Sequence, residues 1–368
     1  MTMDTIKIAV VAGARPNFMK IAPLIKAFEA CNAQGQGRRI DWQLIHTGQH
    51  YDPLMSDVFF TELGIPAPTV SLNVGSASHA RQTAGIMTAF EPILEEWKPD
   101  WVVVVGDVNS TLACTLVAAK MGIRVAHVEA GLRSYDRTMP EEINRVVTDA
   151  LADLLLTPSE DANENLKREG IPEKKIRLVG NIMIDSVVSH LSNGRNGRVL
   201  EELQLEDNGF IYVTLHRPSN VDRRESLEAI IDELGAISEQ FPVVFPIHPR
   251  TCQRMKEFDL AFREHNHVRL LDPIGYNDSL SLTKHACCVL TDSGGLQEES
   301  TYFGTPCLTL RPNTERPITI QVGSNRLTQV ETLRSDLRSA VEKGRQSQVP
   351  PLWDGKTAER IVQCLLEA

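Results

Sequence analysis

Short apolar runs alternate with longer amphipathic segments along almost the whole chain. In the first half the runs are IKIAVVAG (6–13), WQLIHTG (42–48), WVVVVGD (101–107), RVAHVEAG (124–131), LLLTPS (154–159) and IRLVGN (176–181). Nearly continuous Val, Ile and Leu strands separated by helical patterns are typical of a parallel sheet that helices cover on both faces. The pattern therefore predicts an α/β fold.

A second series of such runs follows, which predicts a second sheet. Its members are FIYVTLHR (210–217), PVVFPIH (242–248), VRLLDP (268–273), CCVLTDS (287–293) and PCLTLR (306–311). A length of 368 residues also favours two domains over one. The Gly-, Asn- and Arg-rich stretch 192–200 is typical of a linker or exposed loop. We expect two doubly wound, Rossmann-like domains: 1–182 completed by a C-terminal helix at 355–368, and 183–354.

Composition and charge exclude several classes of protein. Apolar residues make up 42% of the chain and charged residues 23%, as in ordinary globular proteins. The net charge of −10 argues against general nucleic-acid binding, and no apolar run reaches membrane-spanning length. The N-terminal residues lead directly into a strand, unlike a signal peptide. The seven cysteines form no CxxC pair or metal-ligand spacing, so we expect reduced thiols in a cytoplasmic protein without a metal site.

Polar residues follow the predicted strands, where ligands bind in open α/β sheets. After the first strand, GARPNFMK has a glycine for a tight turn, a proline suited to a first helical turn, and Arg15 and Lys20 beside the helix N-terminus. Two cations at this position favour an anion site, although solvated surface residues would give the same pattern. The motif is not GxGxxG and does not predict a dinucleotide site.

Three carboxylates occupy similar positions in the first half of the chain. Asp107 and Glu129 each follow an apolar run, and Glu141 lies in a predicted first helical turn. Singly, each has a structural explanation such as helix capping. Together they indicate acid–base chemistry, because neighbouring carboxylates can share a proton near neutral pH.

The second half carries features suited to a phosphate group. Two His-Arg clusters, His216–Arg217 and His248 with Arg250, follow successive strands. TDSGGLQEES (291–300) then predicts a strand, a glycine turn and a helix whose N-terminus faces a ligand. The pattern indicates pyrophosphate and ribose binding; the candidate residues are Ser293, Gly294, Gly295, Glu299 and Arg316.

Taken together, these segments resemble the non-hydrolysing UDP-N-acetylglucosamine 2-epimerases. The resemblance runs nearly end to end, and its motifs are GARPNFMKIAPL, TGQHYD, GDVNST, HVEAGLRS, MPEEINR, TPSE, VGNIMIDS, LHRPSNVD, PIHPRT, TDSGGLQEE and TERP. It implies a fold like that of GT-B glycosyltransferases, with the active site in the interdomain cleft. It also implies a homodimer, a UDP-sugar substrate and no nicotinamide or metal cofactor.

The resemblance further implies roles for individual residues. Such enzymes interconvert UDP-GlcNAc and UDP-ManNAc by anti elimination of UDP to a 2-acetamidoglucal, followed by re-addition. The residues that match the family's catalytic groups are Asp107, Glu129, Glu141, His216, Arg15 and Lys20. Contacts to UDP fall on Arg15, His216, His248, Ser293, Gly294, Gly295, Glu299 and Arg316. Gln49, Arg81 and Arg217 are candidates for an effector site, and Ser279 stands where many relatives carry an aromatic residue.

Other functions share parts of this pattern. A UDP-2,3-diacetamido-glucuronate 2-epimerase would use the same scaffold with an extra basic contact for the C6 carboxylate. A GT-B glycosyltransferase would share the nucleotide-binding motif but has no need for three clustered carboxylates. A nucleotide-sugar sensor would not need them either. We expect an epimerase that supplies UDP-ManNAc-type donors for surface polysaccharide. The pathway is assigned by analogy with the family alone.

Overall fold

The computed structural model describes residues 5–35, 38–48, 64–192, 198–263, 267–345 and 348–368, apart from the side chains of Arg15, Pro16 and Ser192. The chain divides into two compact units. The described residues of Met1–Ser186 and Pro351–Ala368 form what we call the N-terminal unit. Those of Val187–Pro350 form the C-terminal unit.

The N-terminal unit contains a parallel sheet of seven strands in the order β3-β2-β1-β4-β5-β6-β7. Its strands are β1 (Thr5–Ala12), β2 (Arg39–His46), β3 (Val70–Ser71), β4 (Trp101–Val105), β5 (Arg124–Val128), β6 (Leu154–Thr157) and β7 (Ile176–Leu178). The helices between them are α1 (Arg15–Gln34), α2 (His79–Trp97), α3 (Asn109–Lys120), α4 (Pro140–Leu151) and α5 (Glu160–Arg168), with a 3₁₀ turn at Glu173–Lys175. All five residues of β4 are buried because helices cover both faces of the sheet.

The C-terminal unit repeats this architecture with six parallel strands in the order β10-β9-β8-β11-β12-β13. Its strands are β8 (Ile211–Thr214), β9 (Val243–Pro246), β10 (Val268–Leu271), β11 (Cys288–Thr291), β12 (Cys307–Leu310) and β13 (Asn325–Thr328). Helix α6 (Ile182–Ser192) spans the boundary between the units. The following helices are α7 (Arg198–Glu202), α8 (Pro218–Val221), α9 (Arg224–Ser238), α10 (Pro249–Glu257), α11 (Tyr276–His285), α12 (Gly294–Phe303), α13 (Ile318–Gln321) and α14 (Leu333–Lys343), with a 3₁₀ turn at Val330–Thr332. The prediction of two doubly wound, Rossmann-like domains is confirmed.

The C-terminal segment returns to the N-terminal unit. Helix α15 (Thr357–Glu367) packs against α1, and Asp185 accepts hydrogen bonds from the backbone N–H groups of Thr357 (3.1 Å) and Ala358 (2.7 Å). The buried indole of Trp353 donates a hydrogen bond to the carbonyl oxygen of Pro158 (3.0 Å). These contacts join residues far apart in sequence into one unit.

Each predicted strand is present, and two further strands lack an apolar run. β3 has two residues, and β13 has the polar sequence NRLT. Asn325 of β13 is buried, and Thr309 donates a hydrogen bond to its side-chain oxygen (2.6 Å). The buried polar side chain of this strand is therefore paired by a hydrogen bond within the unit. Such a strand does not appear as an apolar run in the sequence.

Two further expectations concern cysteines and membrane segments. The seven cysteines are free, and Cys287, Cys288 and Cys307 are buried in the core as predicted. Among the described helices, none has both the length and the apolar character needed to cross a membrane.

Candidate active site

Three candidate residues of the N-terminal unit follow adjacent strands. Lys20 lies in α1 after β1, Asp107 follows β4, and Glu129 follows β5. The strand order reverses between β1 and β4, and ligands of open α/β sheets bind at such a point, beyond the carboxyl ends of the strands. The topology therefore brings these residues to the edge of the sheet where a ligand is expected.

Lys20 and Glu129 form a buried ion pair. The Nζ atom of Lys20 contacts Oε2 of Glu129, and the two residues are only 8% and 6% exposed. The backbone of Glu129 has φ of 71°, a left-handed conformation that is uncommon for residues other than glycine. A glutamate held in this conformation beside a cation is a candidate functional residue, since strained residues concentrate at active sites.

The backbone around this ion pair is closely packed. Asn17 accepts hydrogen bonds from the N–H groups of Gly13 (3.2 Å) and Ala14 (3.0 Å) and donates one to the carbonyl oxygen of Val105 (2.9 Å). Gly106 has φ of 68°, and a Cβ atom there would lie 3.2 Å from Nζ of Lys20. The turn after β4 thus favours glycine for its conformation, and a Cβ atom there would crowd the Lys20 ammonium group.

Asp107 interacts with helix α4 and does not cap α3. The residue at the N-cap of α3 is Val108, whereas the carboxylate of Asp107 pairs with Nη1 of Arg145. Arg145 also pairs with Glu142 (2.7 Å), which accepts hydrogen bonds from the N–H groups of Ser134 (2.9 Å) and Tyr135 (2.9 Å). Burial alone would raise the pKa of Glu142, but the donors from Ser134 and Arg145 hold it below its usual value.

The two neighbouring glutamates of α4 have different environments. Glu141 is exposed on the first turn, and Glu142 is 2% exposed within the arginine network. Glu141 can therefore approach a ligand from solvent, whereas Glu142 serves to hold Arg145 and the backbone at Ser134.

In the C-terminal unit the strand order reverses between β8 and β11, and the candidate residues lie around that point. His216 follows β8, and its Nδ1 atom lies 3.0 Å from the buried carboxylate of Asp292, which follows β11. Asp292 also accepts hydrogen bonds from the N–H of Arg217 (2.8 Å) and the side chain of Asn220 (2.9 Å). Burial would raise the pKa of Asp292, but the hydrogen bond and charge of His216 lower it. Asp292 thus orients the His216 ring through Nδ1.

His248 neighbours His216 and begins helix α10. Its ring centroid lies 5.3 Å from that of His216, and its Nδ1 atom accepts a hydrogen bond from the N–H of Arg250 (3.2 Å). Burial, followed by the charge of His216, lowers the pKa of His248. The Arg250 side chain instead pairs with Asp222.

The N-terminus of α12 has the geometry expected of an anion site. Ser293 occupies the N-cap, followed by Gly294 and Gly295, so free backbone N–H groups lie at the positive end of the helix. A Cβ atom on Gly294 would lie 2.6 Å from Nη1 of Arg316. Arg316 pairs with Glu298 (2.8 Å) and with Glu315, so the glycine is needed to admit a buried guanidinium network.

Glu299 lies one turn into α12 and is buried. Its carboxylate accepts a hydrogen bond from the hydroxyl of Tyr276 (3.0 Å). Burial raises the pKa of Glu299 to about 8, and the nearby Glu298 adds to the shift while the Tyr276 hydrogen bond opposes it. Such a carboxyl group is suited to bind a ligand hydroxyl, because the ligand supplies a further donor to it.

The remaining candidates have varied environments. Arg81 is exposed on α2, and Arg217 donates a hydrogen bond from Nε to the carbonyl oxygen of Asp292 (3.0 Å). The Ser279 hydroxyl lies 2.8 Å from the hydroxyl of Tyr212. Gln49 and the side chain of Arg15 lie outside the described part of the structure.

Several buried polar residues around these candidates were not among the site residues predicted from the sequence. They are His127, Arg133, Glu142, Arg145, Asp149 and Asp292. Glu142, Arg145 and Asp149 are the third, sixth and tenth residues of α4, a polar stripe whose spacing is typical of a solvent-facing side of a helix. The structure instead buries this stripe and leaves Ile143 49% exposed. The inverted polarity of the helix is detectable only once its packing is known.

The chain matches a family model and curated relatives over nearly its full length. The model described as UDP-N-acetylglucosamine 2-epimerase matches residues 32–366. A UDP-N-acetylglucosamine 2-epimerase of Methanocaldococcus jannaschii is 44% identical over 369 aligned residues, covering 98% of both chains. A UDP-2,3-diacetamido-2,3-dideoxy-D-glucuronate 2-epimerase of Pseudomonas aeruginosa is 37% identical and covers 98% of this chain and 99% of its own.

A solved structure shows the same similarity in three dimensions. The crystal structure of the Methanocaldococcus jannaschii UDP-GlcNAc 2-epimerase, in complex with UDP-GlcNAc and UDP, matches with a TM-score of 0.89 and 43% sequence identity. The match covers 99% of this chain and 100% of that one.

Proposed function

The chain belongs to the UDP-N-acetylglucosamine 2-epimerase family, and from that membership we propose that it interconverts UDP-GlcNAc and UDP-ManNAc at C2. The observation that supports this most strongly is the buried Lys20–Glu129 ion pair beside the Gly106–Asp107 turn. The pair joins a carboxylate and a cation at the edge of the sheet where ligands of open α/β sheets usually bind. Family membership makes the protein an isomerase, in contrast to the glycosyltransferase and sensor alternatives.

The proposed reaction begins with an anti elimination. A carboxylate removes the C2 proton while the C1–O bond breaks, and the bonding electrons leave with UDP to give a 2-acetamidoglucal. UDP then adds back to C1 as C2 receives a proton on the opposite face. Since a C2 hydrogen without an adjacent carbonyl is weakly acidic, its removal must be coupled to loss of a good leaving group. Glu129, Asp107 and Glu141 are the proposed source of the base and the acid.

The C-terminal unit supplies the proposed UDP contacts. The N-terminus of α12 offers backbone N–H groups to the diphosphate, and Glu299 offers its carboxyl group to the ribose hydroxyls. His216, oriented by Asp292, provides a further donor. Lys20 and Arg15, which belong to the N-terminal unit, are the proposed cations. These donors would stabilise the negative charge on the departing UDP.

Proton NMR of the purified protein with UDP-GlcNAc in D₂O tests this proposal. We expect UDP-ManNAc to appear with deuterium at C2, because the proton that is removed exchanges with solvent before re-addition. UDP-GlcNAc that stays unchanged and unlabelled at C2, at both low and high concentrations of this nucleotide sugar, would contradict the proposal.

The same experiment distinguishes the main alternative substrate. The similarity to the Pseudomonas aeruginosa enzyme keeps a UDP-2,3-diacetamido-glucuronate substrate as the second candidate. Deuterium incorporation into that nucleotide sugar, with none into UDP-GlcNAc, would identify it as the substrate. The epimerase mechanism would then hold with a different sugar.

We also propose that the enzyme acts in the cytoplasm and supplies donors for surface polysaccharide. The seven free cysteines support a reducing compartment. Immunoblotting of cytoplasmic and membrane fractions tests the location, and loss of surface polysaccharide after gene deletion tests the pathway.

We further propose a homodimer in which the apolar face of α4 packs against the same face of a second copy. Ile143, Val146, Val147, Ala150 and Leu151 form a helical stripe without charge that the N-terminal unit leaves exposed or half-buried. A two-fold interface needs a self-complementary surface, and an uncharged apolar stripe matches its own copy.

Light scattering coupled to size exclusion tests the dimer. Ile143→Glu should convert a dimer to a monomer, because two buried carboxylates would face each other across the interface. Leu270→Glu is the matched control, since Leu270 is 44% exposed in the C-terminal unit. A wild-type monomer, or a dimer that survives Ile143→Glu, would contradict the proposal.

A further inference from the structure

Asp149 of α4 is a fully buried carboxylate that contacts the chain on both sides of Glu129. Its Oδ1 atom lies 2.6 Å from Nδ1 of His127, two residues before Glu129. Its Oδ2 atom accepts hydrogen bonds from the N–H of Gly131 (3.0 Å) and pairs with Nη1 of Arg133 (2.7 Å). One side chain therefore holds three residues of the segment 127–133.

His127 extends these contacts to the strand that carries Asp107. Its ring is fully buried, and Nε2 donates a hydrogen bond to the carbonyl oxygen of Gly106 (2.8 Å). The ring thus links α4 to the ends of both β4 and β5. Because both ring nitrogens face acceptors, any rotation of the ring would leave a buried polar group without a partner.

Arg133 completes an alternating row of charges. It makes a bidentate pair with Glu169 through Nε and Nη2, each at 2.7 Å, in addition to its contact with Asp149. Burial by itself would raise the pKa of Asp149, but His127 and Arg133 outweigh it and lower the pKa. Asp149 is consequently ionised and fully hydrogen-bonded in the folded protein.

The segment that this network holds contains two left-handed residues, of which only the glutamate is in a conformation unfavourable for its residue type. Glu129 has φ of 71° and Gly131 has φ of 81°. The N–H of Glu129 donates to the carbonyl oxygen of Leu156 in β6 (3.0 Å). A left-handed glutamate persists only where its surroundings determine its conformation, and Asp149 supplies contacts on both sides of it.

We propose that Asp149, acting through His127, is the positioning residue that sets the carboxylates of Glu129 and Asp107 for proton transfer. The proposal rests on the proposed function, because it assigns Asp149 to the same acid–base chemistry. Asp149 does not touch substrate in this role; it determines where the groups that do so are placed.

Asp149→Asn tests the proposal, with Asp185→Asn as the matched control. Both are buried carboxylates of the N-terminal unit that accept backbone N–H donors. We expect Asp149→Asn to lower kcat about 100-fold while the Kd for UDP stays within about threefold, since misplacing a catalytic group affects turnover more than binding. Asp185→Asn should lower the melting temperature without this loss of kcat. Equal kcat in the two variants would overturn the proposal.

A double-mutant cycle tests whether His127 carries the effect. His127→Asn should lower kcat by a similar factor, and the double variant with Asp149→Asn should be no slower than the slower single variant. Multiplicative losses in the double variant would show independent roles and contradict the proposal.

A readout that needs no turnover separates this proposal from the proposed function. Competitive acetylation with mass spectrometry reports the reactivity of Lys20, which is buried in its pair with Glu129. Asp149→Asn should raise the acetylation rate of Lys20 several-fold, and Asp185→Asn should leave it unchanged. If the wild type epimerises neither sugar but Lys20 responds in this way, the proposed function fails and the positioning role stands. No change at Lys20 overturns the positioning role.

Discussion

At the scale of single residues, the N-terminal unit depends on a glutamate in an uncommon backbone conformation. Glu129 has positive φ and is paired with Lys20 in a site that is almost closed to solvent. The proposed reaction would use this carboxylate as an acid–base group and the Lys20 cation to stabilise the negative charge on the leaving group. The same ion pair can thus hold the base ready and stabilise the departing anion.

Glu129→Gln preserves the size of the side chain and removes its proton-accepting oxygen. We expect turnover to fall about 100-fold or more, as loss of a general acid–base group does, while UDP affinity stays nearly unchanged. Steady-state kinetics and calorimetric UDP titration measure the two quantities. Turnover like that of the wild type would remove Glu129 from the mechanism.

Glu299 predicts a pH-dependent contribution to stability. Its pKa of about 8 in the folded protein lies above the ordinary value of 4.5, so the folded state holds this proton more tightly than the unfolded chain. Its contribution to stability is complete below pH 4.5 and is lost as pH rises through 8.

Glu299→Gln should therefore remove part of the pH dependence. Between about pH 5 and about pH 9, the free energy of unfolding should fall more in the wild type than in this variant. Denaturant unfolding at the two pH values measures the difference. Glu228→Gln, at a half-exposed position of the same unit, should behave like the wild type. A Glu299→Gln variant with unchanged pH dependence would contradict the assignment.

At the scale of secondary-structure elements, the N-terminus of α12 combines a helix dipole with a buried arginine. Arg316 lies against Gly294 and is held by Glu298 and Glu315. The backbone N–H groups of the first turn are therefore fixed in place by side chains behind them. A preorganised anion site of this kind loses little entropy when a phosphate binds.

Gly294→Ala tests this packing. The added Cβ would lie 2.6 Å from the guanidinium of Arg316, which must move. We expect weaker UDP binding, by about tenfold, because the first turn shifts with it. Gly275→Ala is the control, since a Cβ there meets no atom within 4 Å and Gly275 is not a proposed UDP contact. Equal UDP affinity in both variants would show that Arg316 moves without disturbing the site.

Helix α4 shows how an element can reverse the expected relation between polarity and burial. Its polar residues Glu142, Arg145 and Asp149 face the interior, where each has charged partners, and its apolar residues lie toward solvent. Buried charges are tolerated when they are paired and hydrogen-bonded. The buried side of the helix therefore contributes a network of ion pairs, which reaches Asp107 through Arg145, in place of apolar core residues.

At the scale of the whole molecule, the chain is divided between two units, and its last segment belongs to the first. Residues 351–368 belong to the N-terminal unit, although the C-terminal unit lies between them and the rest of that unit in the sequence. The integrity of the N-terminal unit, including α1 with Lys20, thus depends on the end of the chain.

Trp353→Ala should destabilise the N-terminal unit selectively. Trp353 is 2% exposed, and its loss leaves a cavity and an unpaired carbonyl at Pro158, a change of about 3–5 kcal/mol. Hydrogen exchange with mass spectrometry should show faster exchange in β1 and α1. Leu337→Ala, in the core of the C-terminal unit, should show the converse pattern. Uniform acceleration in both variants would indicate that the units unfold together.

The sequence by itself determined the fold class and the positions of the candidate residues. Strands such as β4 are buried on both faces, so they appear as apolar runs, and parallel topology then places whatever follows them at one edge of the sheet. Lys20, Asp107 and Glu129 were identifiable for this reason. The roles of individual site residues stay predictions.

Only the tertiary structure decided which polar groups meet. Glu129 and Lys20 are 109 residues apart, and Asp292 and His216 are 76 residues apart. Pairing over such separations is set by helix packing and strand order, neither of which is encoded in local periodicity. The burial of Asp149 and the exposure of Ile143 on one helix follow from the same cause, because the burial of a helix face depends on what it packs against.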